Sequence, residues 1–354
     1  MKVGILTFHR ACNYGAVLQC YALQETLKSM GHEVWIIDYR QPYVESLYAV
    51  LSFNEVIKKI SNPINLLRYY KHSIRRYRRK KLFSCINTLY HVDSNYKSII
   101  QDNLDAYIIG SDQLWSLYCL GDEKDDIYLG EFNHNPNAKI IGYAISTNQH
   151  SLETLKKEGL DKYLKNFSAL SMREKFAAEF IRKNYHVNTD ICIDPTLLVS
   201  SKVWERLVDS KWEKEDYVLL YQLRHPQGRN YNLLRKKSEE LARQMGCKVI
   251  EIIDTKYSVS DFVSLFKYAK HVITTSFHGT VFSVIFNTPF YSVRLNDGHD
   301  ERYVNLLTAI GLDSCCVDIN FQPNAIPVDF NSTHNRILDI KKESLSFFKK
   351  ALSE

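Results

Sequence analysis

The chain carries no C-x-x-C pair. Its eight cysteines, Cys12, Cys20, Cys85, Cys119, Cys192, Cys247, Cys315 and Cys316, are scattered. A thioredoxin-like motif is therefore excluded, and nothing points to structural zinc. Isolated cysteines in apolar runs behave as small hydrophobes, which reads as a reduced, cytoplasmic protein. There is no G-x-G-x-x-G, so a dinucleotide fingerprint is absent. No D-x-D occurs either, which argues against a metal-bound nucleotide-sugar donor and leads us to expect neither metal nor cofactor. No uninterrupted apolar run reaches transmembrane length. Met1 to Phe8 is apolar, but His9 and Arg10 break it at once, so it reads as a first core strand rather than a signal peptide. Fixed-period repeats and low-complexity tracts are missing too.

What is present is a globular composition. The 354 residues are 45% hydrophobic and 24% charged, enough for two domains with their own cores. A formal charge of +6 favours anionic partners without calling for nucleic acid.

The opening alternates. Val3 to Phe8 is strand-like, and a polar loop ends at Asn13-Tyr14-Gly15. Ala16 to Met30 has helical spacing and stops at Gly31, and Glu33 to Tyr39 is a second strand. This β-loop-α-β beginning predicts a doubly wound parallel sheet. Gly15 serves either plain helix-start geometry or close approach of a substrate to the turn. Between about 50 and 100 the rhythm breaks. Arg68 to Lys81 is dense in Arg and Lys with Tyr69, Tyr70, Ile74 and Tyr77 between them. Such a helix is either a solvated face or a surface for an anionic membrane.

The strands then resume, each ending in polar residues. Ala106 to Gly110 leads into Ser111-Asp112-Gln113-Leu114-Trp115, where Trp115 serves as a sugar platform or as core. Ile140 to Ala144 ends in Ser146-Thr147-Asn148. Ala169 to Met172 ends in Arg173-Glu174. An arginine past a strand end is placed to fork onto carboxylate or phosphate, or to pair with Glu174. Ile191 to Pro195 reads as the last strand of this half. The second half repeats the alternation: strands at Tyr217–Leu223, Lys248–Ile253, His271–Thr275 and Pro289–Val293, and helices at Tyr231–Met245 and Val259–Tyr268. In Val272 to Thr280 an apolar run gives way to Ser276-Phe277-His278-Gly279 and then to a helix. His278 would sit at the mouth of a strand, where a helix N-terminus favours anions. Its other uses are capping that helix or bonding a nearby loop. Gly279 would let a ligand approach the backbone.

Six segments in order resemble the polysaccharide pyruvyl transferase family. They are Asn13-Tyr14-Gly15-Ala16 with Leu18-Gln19, Ile37-Asp38-Tyr39-Arg40, and Gly110 to Trp115. The others are Ser171-Met172-Arg173-Glu174, Asp194-Pro195-Thr196-Leu197-Leu198 and Ser276-Phe277-His278-Gly279. Each is weak alone; together they span most of the chain, the basic insertion excepted. The resemblance implies two Rossmann-like α/β domains with a cleft, like the GT-B glycosyltransferases. It also implies transfer of a pyruvyl group from phosphoenolpyruvate onto two hydroxyls of a sugar, giving a cyclic ketal and phosphate in polysaccharide biosynthesis. Arg173 falls on the family's Ser-x-Arg motif and His278 on its Ser-x-His motif, both implied to hold the donor and to act in catalysis.

The chemistry asks for the same groups. The donor's carboxylate and phosphate need a bidentate cation and an N–H-rich turn, and its methylene carbon needs an acid such as histidine. Asp112 is the candidate base. Asn13, Gly15, Ser111, Gln113, Trp115, Ser276, Phe277 and Gly279 are the candidate binding residues. The expected domains are 1–195, on the acceptor side with the insertion; 196–330, on the donor side; and a terminal helix over 331–354 that returns to the first. The acceptor is a sugar, free or lipid-linked. The enzyme is expected in the cytoplasm, or peripheral at the inner membrane face. Two other readings stay open: a nucleotide-sugar glycosyltransferase, and a non-catalytic glycan- or anion-binding protein.

Overall fold

The computed structural model describes residues 1–51, 56–58, 62–93, 104–223, 231–253, 256–296, 298, 300–325 and 327–353. Contacts divide the chain into two units. One is Met1–Ile191 with Asp254–Ser258 and Ala351–Glu354; the other is Cys192–Ile253 with Val259–Lys350.

The first unit is a sheet in the order β3-β2-β1-β4-β5-β6-β7, with every neighbouring pair parallel. Its strands are β1 (Lys2–Leu6), β2 (Glu33–Ile37), β3 (Val92–Asp93), β4 (Ala106–Gly110), β5 (Lys139–Ile145), β6 (Ala169–Met172) and β7 (Asp190–Ile191). A parallel strand covered on both faces must be apolar on both. Accordingly β4, Ala-Tyr-Ile-Ile-Gly, is buried at every position. Helix α1 (Tyr14–Ser29) is buried nearly all round. It is followed by α2 (Pro42–Tyr48), α3 (Pro63–Phe83), α4 (Gln149–Lys157) and α5 (Lys175–Tyr185). The basic run therefore lies on a helix, as expected; of the surrounding insertion, residues 52–55, 59–61 and 94–103 lie outside the described residues.

The second unit has the order β12-β11-β10-β8-β9, again all parallel. Its elements are β8 (Tyr217–Tyr221), α6 (Tyr231–Gln244), β9 (Lys248–Glu251), α7 (Val259–Tyr268), β10 (His271–Thr274) and α8 (Phe277–Ile285). Then come β11 (Phe290–Arg294), α9 (Glu301–Ile310), β12 (Cys316–Asp318) and α10 (Asn331–Ser353). Phe262 and Phe266 of α7 meet Tyr221 and Phe282 at centroid distances of 5.2–6.2 Å, and Trp204 meets Phe282 at 5.0 Å. This aromatic layer seats α7 and α8 on β8, and so places the turn before α8.

Both units are Rossmann-like α/β layers, as the alternation predicts. One detail differs from the sequence reading. The expected strand Ile191 to Pro195 is not one. Only Asp190–Ile191 pairs, and Asp194 caps a short 3₁₀ turn, Pro195–Leu197, because Pro195 has no N–H for a ladder and a fixed φ suited to a turn. The contact boundary accordingly falls before Cys192, upstream of Pro195. The terminal helix groups with the second unit as far as Lys350, and only its last residues group with the first.

Candidate active site

Each sheet reverses its strand order once. There the connections leave in opposite directions, and the carboxyl ends of two strands leave room for a ligand. In the first unit the reversal lies between β1 and β4. Gln19 of α1 stitches it together. Its buried amide donates to Thr7 Oγ1 at 2.8 Å and Ala16 O at 2.9 Å, and accepts from Ser111 N at 3.2 Å. Gly110 ends β4 at φ +135°, where a Cβ would lie 2.0 Å from Tyr143 O, so no other residue fits. Asp112 follows at φ 65°, a left-handed conformation that aspartate tolerates. Its Oδ1 accepts from Gln113 N at 2.9 Å, and its carbonyl accepts from Leu114 N and Ser146 N, both at 2.9 Å.

Arg173 leaves β6 with its N–H on Ile145 O at 3.1 Å. Its guanidinium donates to Ser111 Oγ, and that hydroxyl donates to Ala144 O at 3.0 Å. Ser111 is fully buried, so its place is behind Arg173 rather than against a substrate. Glu174 points elsewhere, accepting from Ser146 Oγ at 2.6 Å and Thr147 N at 3.3 Å. The structure thus brings Arg173, Ser111, Asp112 and Gln113 to one corner. Asn13 caps α1, accepting from Ala16 N at 3.3 Å. Gly15 is buried in the first helical turn, which is plain helix-start geometry. Trp115 is no sugar platform. It is 1% exposed, donates Nε1–H to Tyr128 O at 2.9 Å and packs edge-on against Phe167.

In the second unit the reversal lies between β8 and β10, and the turn into α8 sits on it. Ser276 caps the helix; its Oγ accepts from Gly279 N at 3.3 Å. That N–H is therefore committed to the cap. Gly279 faces the sheet instead of a ligand: a Cβ there would come 2.2 Å from Thr274 Oγ1 and 3.1 Å from Tyr221 Cδ1. Its missing side chain is what allows α8 to lie against β8 and β10. Phe277 is buried, edge-on to the His278 ring at 5.1 Å, with the Arg302 guanidinium 5.9 Å from its centroid. His278 is nearly buried, with Nε2 3.5 Å from Asp194 Oδ2. The other Asp194 oxygen accepts from Thr196 N at 2.9 Å and Thr196 Oγ1 at 2.6 Å. Thr196 therefore anchors the carboxylate, which lies beside the imidazole.

Asp194 received no role from sequence reasoning. Its own signal, Asp before Pro-Thr, announces a cap; its pairing with a distant histidine does not show in the chain. A second omission is Asp38, at the end of β2. It binds His9 Nε2 at 2.9 Å, Arg10 Nη1 at 2.9 Å and Arg40 Nη2 at 2.8 Å. Burial raises its carboxyl, but hydrogen bonds from His9 and Arg40 and the charge of Arg10 outweigh this and hold it well below the usual carboxylate range. A cavity of about 600 Å³ adjoins it, lined among others by His9, Arg10, Cys12, Tyr48, Lys80 and Phe83.

A model of the polysaccharide pyruvyl transferase family matches residues 13–297. The chain belongs to the polysaccharide pyruvyl transferase family. The matched span contains all six motif segments, with Arg173, Asp194 and His278 among them. No curated protein matches the chain. Among solved structures it is similar to the UDP-N-acetylglucosamine 2-epimerase from Rickettsia bellii, with 11% identity and a TM-score of 0.46 over 99% of this chain and 96% of that one. It is similar also to the glycosyltransferase SsfS6 from Streptomyces sp. SF2575, with 14% identity and a TM-score of 0.41 over 98% and 96%. Among the described residues no helix is long and apolar enough to cross a membrane.

Proposed function

We propose that this family member transfers a pyruvyl group from phosphoenolpyruvate onto two hydroxyls of one sugar in polysaccharide biosynthesis, releasing phosphate. The observation that carries the reading is the family match across 13–297, which includes Arg173 and His278. Arg173 takes the donor's carboxylate, because a guanidinium already fixed through Ser111 needs little further ordering to fork onto it. His278 gives a proton to the methylene carbon. Nε2 lies 3.5 Å from Asp194 Oδ2, so Nδ1 is assigned to the substrate side. The first sugar hydroxyl then adds to the oxocarbenium-like carbon, phosphate leaves, and the second hydroxyl closes the ketal. Of the two hydroxyl protons, one is balanced by the new methyl C–H and the other leaves with phosphate. Asp112 accepts a hydroxyl proton, with Asn13 and Gln113 orienting the acceptor.

Phosphate release from phosphoenolpyruvate across a panel of galactosides, mannosides and glucosides tests this. Turnover with at least one sugar is expected, and it should survive exhaustive chelation, as the missing D-x-D supports. Phosphoenolpyruvate at a hundred times its dissociation constant should add roughly 2.7 kcal/mol, a melting shift of about 5–10 °C. A large shift with uridine or guanosine diphosphate and none with phosphoenolpyruvate would replace this reading with a nucleotide-sugar transferase.

A further inference from the structure

The basic run that the family motifs leave out has a more particular geometry than its composition shows. Helix α3 starts cleanly: Asn62 Oδ1 accepts from Ile64 N at 3.0 Å and Asn65 N at 3.2 Å, and Pro63 takes the first position, where no N–H is needed. Lys80 and Lys81 suit its C-terminal end. One face is anchored to the unit. Tyr69, Ser73 and Phe83 are buried, the Phe83 ring lies 4.7 Å from that of Tyr14, Arg76 donates to Ala49 O at 3.2 Å, and the Arg79 guanidinium lies 5.4 Å over Tyr48.

The rest of the surface carries two rows. Ile64, Leu67, Tyr70, Ile74 and Tyr77 follow one another at steps of three and four, which places them along one side of the helix. All five are exposed, Ile64 by 62% and Tyr70 by 60%. Arg68, Lys71, Arg75 and Arg78 form a second exposed row, each one residue on from its apolar neighbour and so about 100° further round. The helix holds eight Lys and Arg and no Asp or Glu, while the whole chain is only +6, so the remainder of the chain is net −2. The chain's basic character therefore resides on this helix.

We propose that α3 is a peripheral membrane-docking helix whose partner is a bilayer rich in anionic phospholipid. Two observations select that partner. The four outward cations match a negative surface, and an exposed aliphatic and tyrosine row on the same helix matches the interface beneath the headgroups. Nucleic acid would use the cationic row and leave Ile64, Leu67 and Ile74 without a purpose. A second copy of the chain would bring this strongly basic helix against its own like charge. Arg76 and Arg79 are occupied against the unit, so they do not belong to the docking face.

The test is co-sedimentation of the full chain with vesicles of phosphatidylcholine, with and without phosphatidylserine, at low and high salt. Wild type should pellet with the anionic vesicles, stay in solution with the neutral ones, and bind less as salt rises. Changing Arg68, Lys71, Arg75 and Arg78 together to Gln should weaken binding roughly a hundredfold to a thousandfold. Changing Leu67, Tyr70 and Ile74 together to Ser should also release the protein, with all charges kept. Circular dichroism melts confirm that both variants fold. The proposal is overturned by three results: equal binding to neutral vesicles, no binding to anionic ones, or wild-type binding by the Leu67, Tyr70 and Ile74 variant. The last would mark a purely electrostatic surface of the kind nucleic acid uses. Phosphate release with a soluble sugar should be unchanged in both variants, so a failure here leaves the transfer reading untouched, and the reverse.

Discussion

At the β1/β4 reversal the chain fixes a cation; at the β8/β10 reversal it fixes an imidazole beside a carboxylate. The topology is the same in kind, yet the means differ. In the first unit, side chains hold side chains: Gln19 ties Thr7 to Ser111, and Ser111 holds Arg173. In the second, backbone packing does the placing. A helix capped by Ser276 is drawn onto the sheet at Gly279, and Asp194 arrives from a separate turn. A strand-order reversal therefore supplies a location, and local chemistry decides what it is used for.

The sharpest break in the comparison is expected from Arg173→Ala and His278→Ala. Each should lower phosphate release by about a hundredfold to a thousandfold in a folded protein. They should separate in binding: the phosphoenolpyruvate melting shift should shrink in Arg173→Ala and persist in His278→Ala. Near wild-type turnover in either would remove that residue from the chemistry.

Stability should also distinguish the two reversals. Gly110→Ala combines an unfavourable φ with a Cβ driven onto the backbone carbonyl of Tyr143, and should cost about 3 kcal/mol or more. Gly279→Ala meets mainly the Thr274 side chain and should cost about 1–3 kcal/mol. Denaturant midpoints measure both, and equal costs would deny the contrast between backbone and side-chain obstruction.

Acid should act on the units in different windows. His271, at the start of β10, is buried against Tyr291, and burial lowers it from 6.5 to about 4, the hydrogen bond to Val272 O opposing only in part. Between those values the unfolded chain binds a proton that the folded chain refuses, so stability falls as pH drops from 6.5 towards 4. The loss should be on the order of 3 kcal/mol, and His271→Phe should flatten it. Asp38 in the first unit has a depressed carboxyl, so its contribution is intact above the normal aspartate range and is lost only as pH falls below about 4. Melting curves of wild type and His271→Phe at pH 7, 5 and 3.5 resolve the two windows.

The smallest effect is expected at Asp194. Asp194→Asn keeps the shape and the Thr196 anchor but changes what faces His278 Nε2. It should reduce turnover by up to about a hundredfold while leaving the phosphoenolpyruvate shift in place. Unchanged turnover would make the pair a packing feature only.

Much of the fold is legible in the chain because parallel, doubly covered strands must be continuous apolar runs, and their ends must turn polar. Ala106 to Gly110 and His271 to Thr274 announce themselves in that way. Val92–Asp93 and Cys316–Asp318 do not, being too short for any periodicity to accumulate. The run Ile191 to Pro195 has the look of a strand, though the missing N–H of Pro195 makes it the start of a turn. The candidate site was legible as positions rather than as partners. A strand-end Ser-x-Arg or Ser-x-His can be seen in sequence, but whether Ser111 faces a ligand or Arg173, or Trp115 a sugar or Phe167, depends on the direction of a side chain among neighbours from distant segments.

The sequence by itself determined two parallel α/β units, the family, and the strand ends at which Arg173 and His278 stand. Periodicity and turn chemistry are local, and six ordered motifs survive reading one residue at a time. Only the tertiary structure decided that Ser111 and Trp115 are buried, that Gly279 serves helix packing, that Asp194 lies beside His278, and that Arg76 and Arg79 turn inward while Arg68, Lys71, Arg75 and Arg78 face out. Burial and pairing are properties of what surrounds a residue, and those surroundings come from parts of the chain that no local pattern connects.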